Sequence, residues 1–285
     1  DALPILQGVT DYRTSAGGAT ANTVTGLGQL GVSCAFIGKV GHDELGAAFA
    51  TDLQANHVTP KLQHGTQPTG RATGFITPDS ERTFATYLGA ALELSPADLN
   101  AHLFSGWDIV HVEGYLVQNH SLVRRAVELA RAAGCRVAID LASYNVVEEN
   151  LSFLKDLVSN GIDIVFANEE EAKAFTGQEG EAALEIIAGH CDIAVVKLGK
   201  KGALARRGED IARTGIIPAK AIDTTGAGDL FAAGFLYGFV QGAHLEQCCR
   251  LGALTSGKVV EVLGAKMPPA TWDLIRREAA TILAG

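Results

Sequence analysis

The sequence predicts an α/β protein: a mostly parallel central sheet with helices on both faces, and a small β element beside it. Three observations carry this. Between residues 108 and 199, short apolar runs alternate with helical segments, the pattern of a parallel sheet covered on both faces. Residues 69–89 break that alternation with two β-rich runs around the turn cluster Pro78-Asp79-Ser80, a hairpin pattern. Glycine is abundant, at 33 residues against 6% aromatics, which suits close helix–sheet packing and tight turns.

Taken in order, residues 17–33 read as a glycine turn entering a helix that stops at Gly31. Residues 34–41 (CAFIGKVG) read as a buried strand, and 44–58 repeat apolar residues at helical spacing. After the hairpin, strands are expected at 108–116, 135–141, 162–170 and 193–199. Helices are expected at 121–134, 153–161 and 181–190. The extended run GIIPAKAID ends at Asp223. Phe231, Phe235 and Phe239 then mark a largely buried helix. No internal repeat or long linker is visible. The organisation expected is one α/β core of residues 17–62 and 91–285, with 63–90 and 1–16 forming a lid region.

Composition narrows the function classes. A net charge of −9 argues against a general nucleic-acid binder, which shows a basic face. It leaves room for an anionic small molecule held by backbone amides. No apolar run is long enough for a transmembrane helix. The five cysteines lack a C-x-x-C pair, so reduced, mostly buried thiols are expected, in a cytoplasmic compartment. No signal peptide is read. The chain begins at Asp1 rather than Met, so upstream residues are expected to be missing.

The stretch AIDTTGAGDLFAAGF (221–235) carries the chemistry. Gly226-Ala227-Gly228 is a small-residue turn at a helix N-terminus, where free N–H groups and the helix dipole make an anion site. Asp229 follows in the first helical turn. A carboxylate there would repel phosphate, which points to proton transfer: Asp229 takes a hydroxyl proton as that oxygen attacks phosphorus. Asp223 is better placed for a cation. An ordinary capped helix would carry the same Asp229 with no chemistry attached.

DTTGAGD followed by a small-residue helix resembles the C-terminal signature of the PfkB carbohydrate kinase family, with its ribokinase-like fold. Gly17-Gly18-Ala19-Thr20-Ala21-Asn22 is similar to the family's GG-x-x-x-N element, and Gly41-His42-Asp43-Glu44-Leu45-Gly46 to its G-x-D-x-x-G segment. Asn168-Glu169-Glu170-Glu171 resembles its N-x-x-E motif. Lys197-Leu198-Gly199-Lys200-Lys201-Gly202 resembles its L-G-x-x-G strand end. The five elements occur in family order between about residue 15 and residue 268.

The resemblance implies a three-layer α/β/α kinase with a small β lid, using ATP and Mg²⁺, with K⁺ as a further cation. Asp229 would be the catalytic base, and Gly226, Ala227 and Gly228 the anion hole. Asn168 and Glu171 would organise Mg²⁺ and the ATP phosphates. Asp223 would contribute to a monovalent-cation site. Gly17 and Gly18 would hinge the lid, and Asn22 would contact substrate hydroxyls. Lys197, Gly199 and Gly202 would line the nucleotide pocket. By themselves, Asn168 and Glu171 read better as a helix N-cap with an acidic first turn than as a metal site, Gly17-Gly18 as a turn, and 197–202 as a strand ending in a hairpin.

Three other patterns carry no such weight. Gly26-x-Gly28-x-x-Gly31 lies within a helix rather than after a strand, so it is not a dinucleotide fingerprint. Gly252 to Lys258 begins like a phosphate-binding loop but continues with Val259 inside a helix. His111-Val112-Glu113 has no zinc-binding partner motif, and His111 reads as a strand-end polar residue.

For the acceptor, Thr20 and the stretches 81–91, 163–172 and Gly264-Ala265 look like the adenosine-kinase-like branch. After Asp140, where many sugar kinases carry an Asn and an Arg, the run Leu141-Ala142-Ser143-Tyr144-Asn145 has no Arg. The expectation is transfer to the 5′-hydroxyl of a ribonucleoside such as adenosine. The alternatives are a kinase for ribose or another sugar, and a non-catalytic nucleotide sensor. Arg82 in the lid could reach phosphate or substrate, or lie in solvent. Residues 1–16 supply no convincing copy of the family's first strand, and Asp11 is not a safe substitute for its aspartate. The partners expected are small molecules, with neither nucleic acid nor membrane, and a monomer or homodimer.

Overall fold

The computed structural model describes residues 14–76 and 82–285. Asp11, the rest of 1–13 and the Pro78-Asp79-Ser80 turn lie outside the described residues, as does the side chain of Arg82.

The central sheet has six strands, in the order β10-β9-β8-β7-β6-β5. These are β5 (Ile109–Glu113), β6 (Arg136–Asp140), β7 (Ile164–Asn168), β8 (Ile193–Lys197), β9 (Ala203–Arg207) and β10 (Asp210–Thr214). Strands β5 to β8 pair in parallel, while β9 and β10 close the edge as an antiparallel hairpin. Helices α3 (His120–Ala132), α5 (Leu151–Gly161), α6 (Glu169–Thr176) and α7 (Gly180–Ala188) follow or bridge the parallel strands. A short α4 (Tyr144–Glu149) lies between β6 and α5.

Period-two alternation divides the core. Val112, Val137, Ile139, Val165, Ala167, Ala194 and Val196 face α3, α5, α6 and α7 in one cluster. Ala138, Ile164, Phe166, Ile193 and Val195 face the other way, onto α8 (Ala227–Val240) and α9 (Leu245–Val259). Phe166 meets Phe235 edge-on at 5.4 Å and 88°, which ties sheet to helix. Each fully buried side chain of this kind stabilises by about 1.5–3 kcal/mol. A third cluster joins α1 (Ala19–Gln29), α8, α9 and α10 (Pro269–Ala284) through Leu230, Leu254, Trp272 and Ile275. The architecture is the ribokinase-like α/β/α fold.

The small residues of α8 follow from this packing. A Cβ on Gly234 would collide with the Leu251 carbonyl of α9, and one on Gly238 would meet Leu251 Cδ1 at 2.8 Å. All five cysteines are free, four of them buried.

The strand expected at 34–41 forms β1 (Cys34–Val40), but it is half-buried and lies outside the main sheet. It pairs in parallel with β2 (Val58–His64), a strand the sequence reading does not include. Between them runs α2 (Glu44–Ala55). The 69–89 hairpin is β3 (Arg71–Ile76) against β4 (Arg82–Tyr87), antiparallel and apart from the main sheet. Asp43 anchors its near end, accepting from the Thr69 N–H at 2.7 Å and the Thr69 hydroxyl at 2.6 Å.

Candidate active site

Each of the four parallel strands ends on a polar residue: Glu113, Asp140, Asn168 and Lys197. All four are in phase with the face that carries Ala138, Phe166 and Val195. They therefore form a row along the carboxyl edge of the sheet, on the side where α8 begins. The carboxyl ends of parallel strands are where α/β folds bind ligands.

The N-terminus of α8 stands over this row. Gly226 is its N-cap, with φ 77°, and among the described residues no side chain caps the helix. Only glycine takes that backbone without strain. A Cβ there would also meet the Ala265 Cβ at 2.6 Å. Ala227 donates its N–H to the Thr224 carbonyl at 3.2 Å. Of the three residues expected to cradle an anion, it is the one whose N–H is already engaged by the chain. A Cβ on Gly228 would meet Lys197 Nζ at 3.3 Å, so the lysine lies directly against this turn.

Asp229 sits in that first turn. Its Oδ2 accepts from Asn22 Nδ2 on α1 at 2.8 Å, and its backbone carbonyl accepts from the Thr23 hydroxyl at 3.1 Å. Burial pushes the Asp229 carboxyl up to about 6, with the Asn22 bond and the Lys197 charge opposing and Asp140 assisting. Asn22, expected to face substrate hydroxyls, thus also orients Asp229. Gly18 is the N-cap of α1 at φ 114°, and Gly17 beside it is exposed.

Glu113 accepts from the Thr20 N–H at 2.8 Å, closing the first turn of α1 with a carboxylate. Burial raises its pKa against that bond. Asp140 Oδ2 pairs with Lys197 Nζ at 2.6 Å, both side chains being less than one-fifth exposed. Burial opposes the lysine charge, yet Asp140 and Glu171 outweigh it and hold the pKa above the usual value. Asn168 and Glu171 form a reciprocal capping box on α6. Glu171 Oε2 takes the Asn168 N–H at 2.8 Å, Oε1 takes Asn168 Nδ2 at 2.6 Å, and Asn168 Oδ1 takes the Glu171 N–H at 2.9 Å. Burial, then Asp140, pushes the Glu171 carboxyl up to about 7.

Gly199 and Gly202, at φ 53° and 93°, build the turn from β8 to β9, and a Cβ on Gly202 would collide with the Thr214 carbonyl. Asp223 is buried and staples two loops, accepting from the Thr225 N–H at 2.6 Å and the Gly264 N–H at 2.8 Å. Among the described residues, no group of three or more His, Cys, Asp or Glu side chains could hold a metal ion. Glu171 and Asp223, the expected metal residues, spend their oxygens on backbone and amide N–H groups and stand at separate places.

A family model for the pfkB family carbohydrate kinase matches residues 4–272. The chain belongs to that family. This kinase is 36% identical to the structure of adenosine kinase from Sinorhizobium meliloti, with a TM-score of 0.90, over 98% of this chain and 88% of that one. It is 27% identical to Fructokinase-2 of Solanum lycopersicum, over 100% of this chain and 93% of that one. It is 29% identical to a ribokinase of Arabidopsis thaliana, over 89% of this chain and 69% of that one. The family uses ATP and acts on small-molecule sugars or nucleosides. Among the described residues, no helix of this kinase is long and apolar enough to cross a membrane.

The motifs at 17–22, 168–171, 197–202 and 223–229 are all brought to the same edge of the kinase, except that Gly202 and Asp223 serve turns at its margin. Glu113 and Asp140 stand at the same edge and are not among the motif residues. Their signal was available: each is a single acid ending a short apolar strand, IVHVE and RVAID. His111 is not a strand-end residue. It sits mid-strand in β5, its ring 6.1 Å from Phe166, and its buried Nδ1 has no partner among the described residues. Burial pushes its pKa down to about 4, so it is a neutral imidazole.

Proposed function

We propose that this kinase transfers the γ-phosphoryl group of ATP to a primary hydroxyl of a ribonucleoside, the 5′-hydroxyl of adenosine first, with Asp229 as base. The observation that carries the reading is Asp229 itself. It is a carboxylate with a raised pKa of about 6, aimed by Asn22, at an uncapped helix N-terminus. A base with that pKa is ionised at neutral pH and binds a proton far better than an ordinary aspartate. The substrate hydroxyl sits beside Asp229 and gives up its proton as it attacks phosphorus. The Gly226–Gly228 turn and the α8 dipole stabilise charge on the transferring group.

Gly17 and Gly18 act as the hinge, and the lid region of 1–16 and 63–90 closes to keep water from competing with the acceptor. Lys197 and the Gly199–Gly202 turn line the nucleotide side. Asn168 and Glu171 would help to hold Mg²⁺, and the ion would supply positive charge that offsets part of the charge of the ATP phosphates. A K⁺ ion beside Asp223 is part of the same proposal, and omission of K⁺ from the assay tests it.

The likeness to an adenosine kinase at 36% identity supports the nucleoside acceptor. The relatives named fructokinase and ribokinase support a second reading, a sugar acceptor at the same site. ADP release with Mg-ATP, measured across adenosine, other nucleosides, ribose and fructose, separates the two. An adenosine-dependent signal lost in Asp229→Asn is expected. A sugar-only signal keeps the chemistry and replaces the acceptor, while full turnover in Asp229→Asn removes the base.

A further inference from the structure

We propose that Lys197 is a catalytic cation held on Asp140, and that it swings to the terminal phosphate of ATP, with Asp140 as its positioning residue. The inference rests on the kinase reading above. It extends the role of Lys197 from lining a pocket to acting on the group in transfer.

Three observations carry it. Lys197 is the last residue of β8, and its ammonium lies 2.6 Å from Asp140 Oδ2, reaching past β7 to the end of β6. The same ammonium stands against the first turn of α8, 3.3 Å from where a Gly228 Cβ would be. It is therefore already beside the backbone that would receive a phosphate. Asp140 is held independently of the lysine: its Oδ1 accepts the Ala142 N–H at 3.3 Å, from a loop bent back through an Ala142 φ of 69°. Asp140 can stay in place while the lysine side chain turns.

Charge explains why a movable cation is needed. Glu113, Asp140, Glu171 and Asp229 border the site, and Lys197 is the cation that acts on both Asp229 and Glu171. A triphosphate entering among these acids is repelled unless a cation meets it. Pairing with Asp140 offsets the desolvation of the buried lysine, and the phosphate offers it a stronger partner. The transfer leaves Asp140 with the Ala142 N–H, and it places positive charge where the transferring phosphoryl becomes most electron-rich.

Binding of Mg-ADP and of the non-hydrolysable Mg-AMP-PNP to the full chain, by calorimetry, tests this without any acceptor. A failed nucleoside assignment therefore cannot disguise a failure here. Lys197→Met should weaken Mg-AMP-PNP about tenfold or more and Mg-ADP less than about twofold, with Lys197→Arg restoring part of the difference. In turnover, Lys197→Met should lower kcat by about 10²–10³-fold with little change in acceptor KM. The acid limb of the pH profile supplies a readout that a merely structural pair would not move. Removing the lysine shifts it to higher pH, and Asp140→Asn shifts it to lower pH, because the two charges act on Asp229 in opposite senses. If Lys197→Met folds poorly, the double variant Asp140→Asn/Lys197→Met removes both charges and leaves neither buried alone. Equal loss of both nucleotides, or no loss of either, overturns the proposal.

Discussion

Glu171 and Asp229 each occupy the third residue of a helix that begins at the carboxyl edge of the sheet. Sequence position and charge are alike, Glu171 being buried and Asp229 half-buried, and both carboxyls have raised pKa values. Glu171 turns back on its own helix and gives both oxygens to Asn168, so α6 starts fully capped. Asp229 instead reaches across to Asn22 on another helix, and α8 starts with no side-chain cap. A free N-terminus is a cost to a helix unless something else meets its N–H groups. The difference teaches how to tell a structural acid from a reactive one at the same local position: the first satisfies its own helix, while the second leaves it open for a ligand.

The largest expected effect of breaking this contrast is on chemistry. Asp229→Asn keeps the Asn22 contact in shape and removes the base. Phosphoryl transfer should fall by about 10²–10⁴-fold, while nucleotide affinity changes little. Steady-state ADP release and calorimetric nucleotide binding on one preparation check it. Loss of binding together with turnover would place Asp229 among the groups that hold the fold.

The same substitution should act on stability with the opposite sign. The Asp229 carboxyl rises from 3.8 to about 6 on folding because it is buried. A raised folded-state pKa favours the folded form fully only below about 3.8, and that contribution is lost as pH rises through about 6. Above that, the buried anion is a net penalty of at most about 3 kcal/mol, reduced by the partial exposure of the residue. Asp229→Asn should therefore be more stable than the wild type at pH 8, by roughly 1–3 kcal/mol, and equal to it near pH 4. Urea unfolding at the two pH values measures this. Equal stability at pH 8 would show a solvated carboxylate.

How much of this contrast could be read in the chain follows from what each part requires locally. The strands of the main sheet are buried on both faces, so each is an apolar run that stands out in sequence. β2 was not legible. Among the described residues it pairs only with β1; it carries Pro60 and alternates too weakly to register as apolar. Proline and polar residues are tolerated at such an edge. The hairpin β9–β10 was hidden by its charged ends, Arg206, Arg207 and Asp210. Local motifs gave Asn168, Glu171 and Asp229, because a cap or a glycine turn is written in adjacent residues. The Glu113 and Asp140 pairing was not written anywhere locally: the two are 27 positions apart in the chain, yet register partners on β5 and β6. Only the sheet sets the two side by side and brings Asp140 to Lys197.

Gly226→Ala probes the open helix end from its backbone. The residue must hold φ 77° and leave room for Ala265. An alanine in that conformation costs about 1–2 kcal/mol before the contact is counted. The Tm should drop, and activity should fall with it because the turn moves. A variant as stable and as active as the wild type would remove the need for glycine at this cap.

The capped end makes the smallest and most diagnostic change. Asn168→Ala removes the side chain that serves both Glu171 oxygen Oε1 and the Glu171 N–H. Loss of an N-cap of this type costs about 1 kcal/mol. Some of that should return at low pH, because Glu171 titrates near 7 and a protonated carboxyl tolerates the lost amide better than an anion does. The stability deficit against the wild type should therefore be larger at pH 8 than at pH 6. If Asn168→Ala instead leaves stability unchanged and abolishes nucleotide binding, the two helix ends are not a structural cap and a reactive one. Both would then be spent on the ligand, with the capping box being the state that ATP has to open.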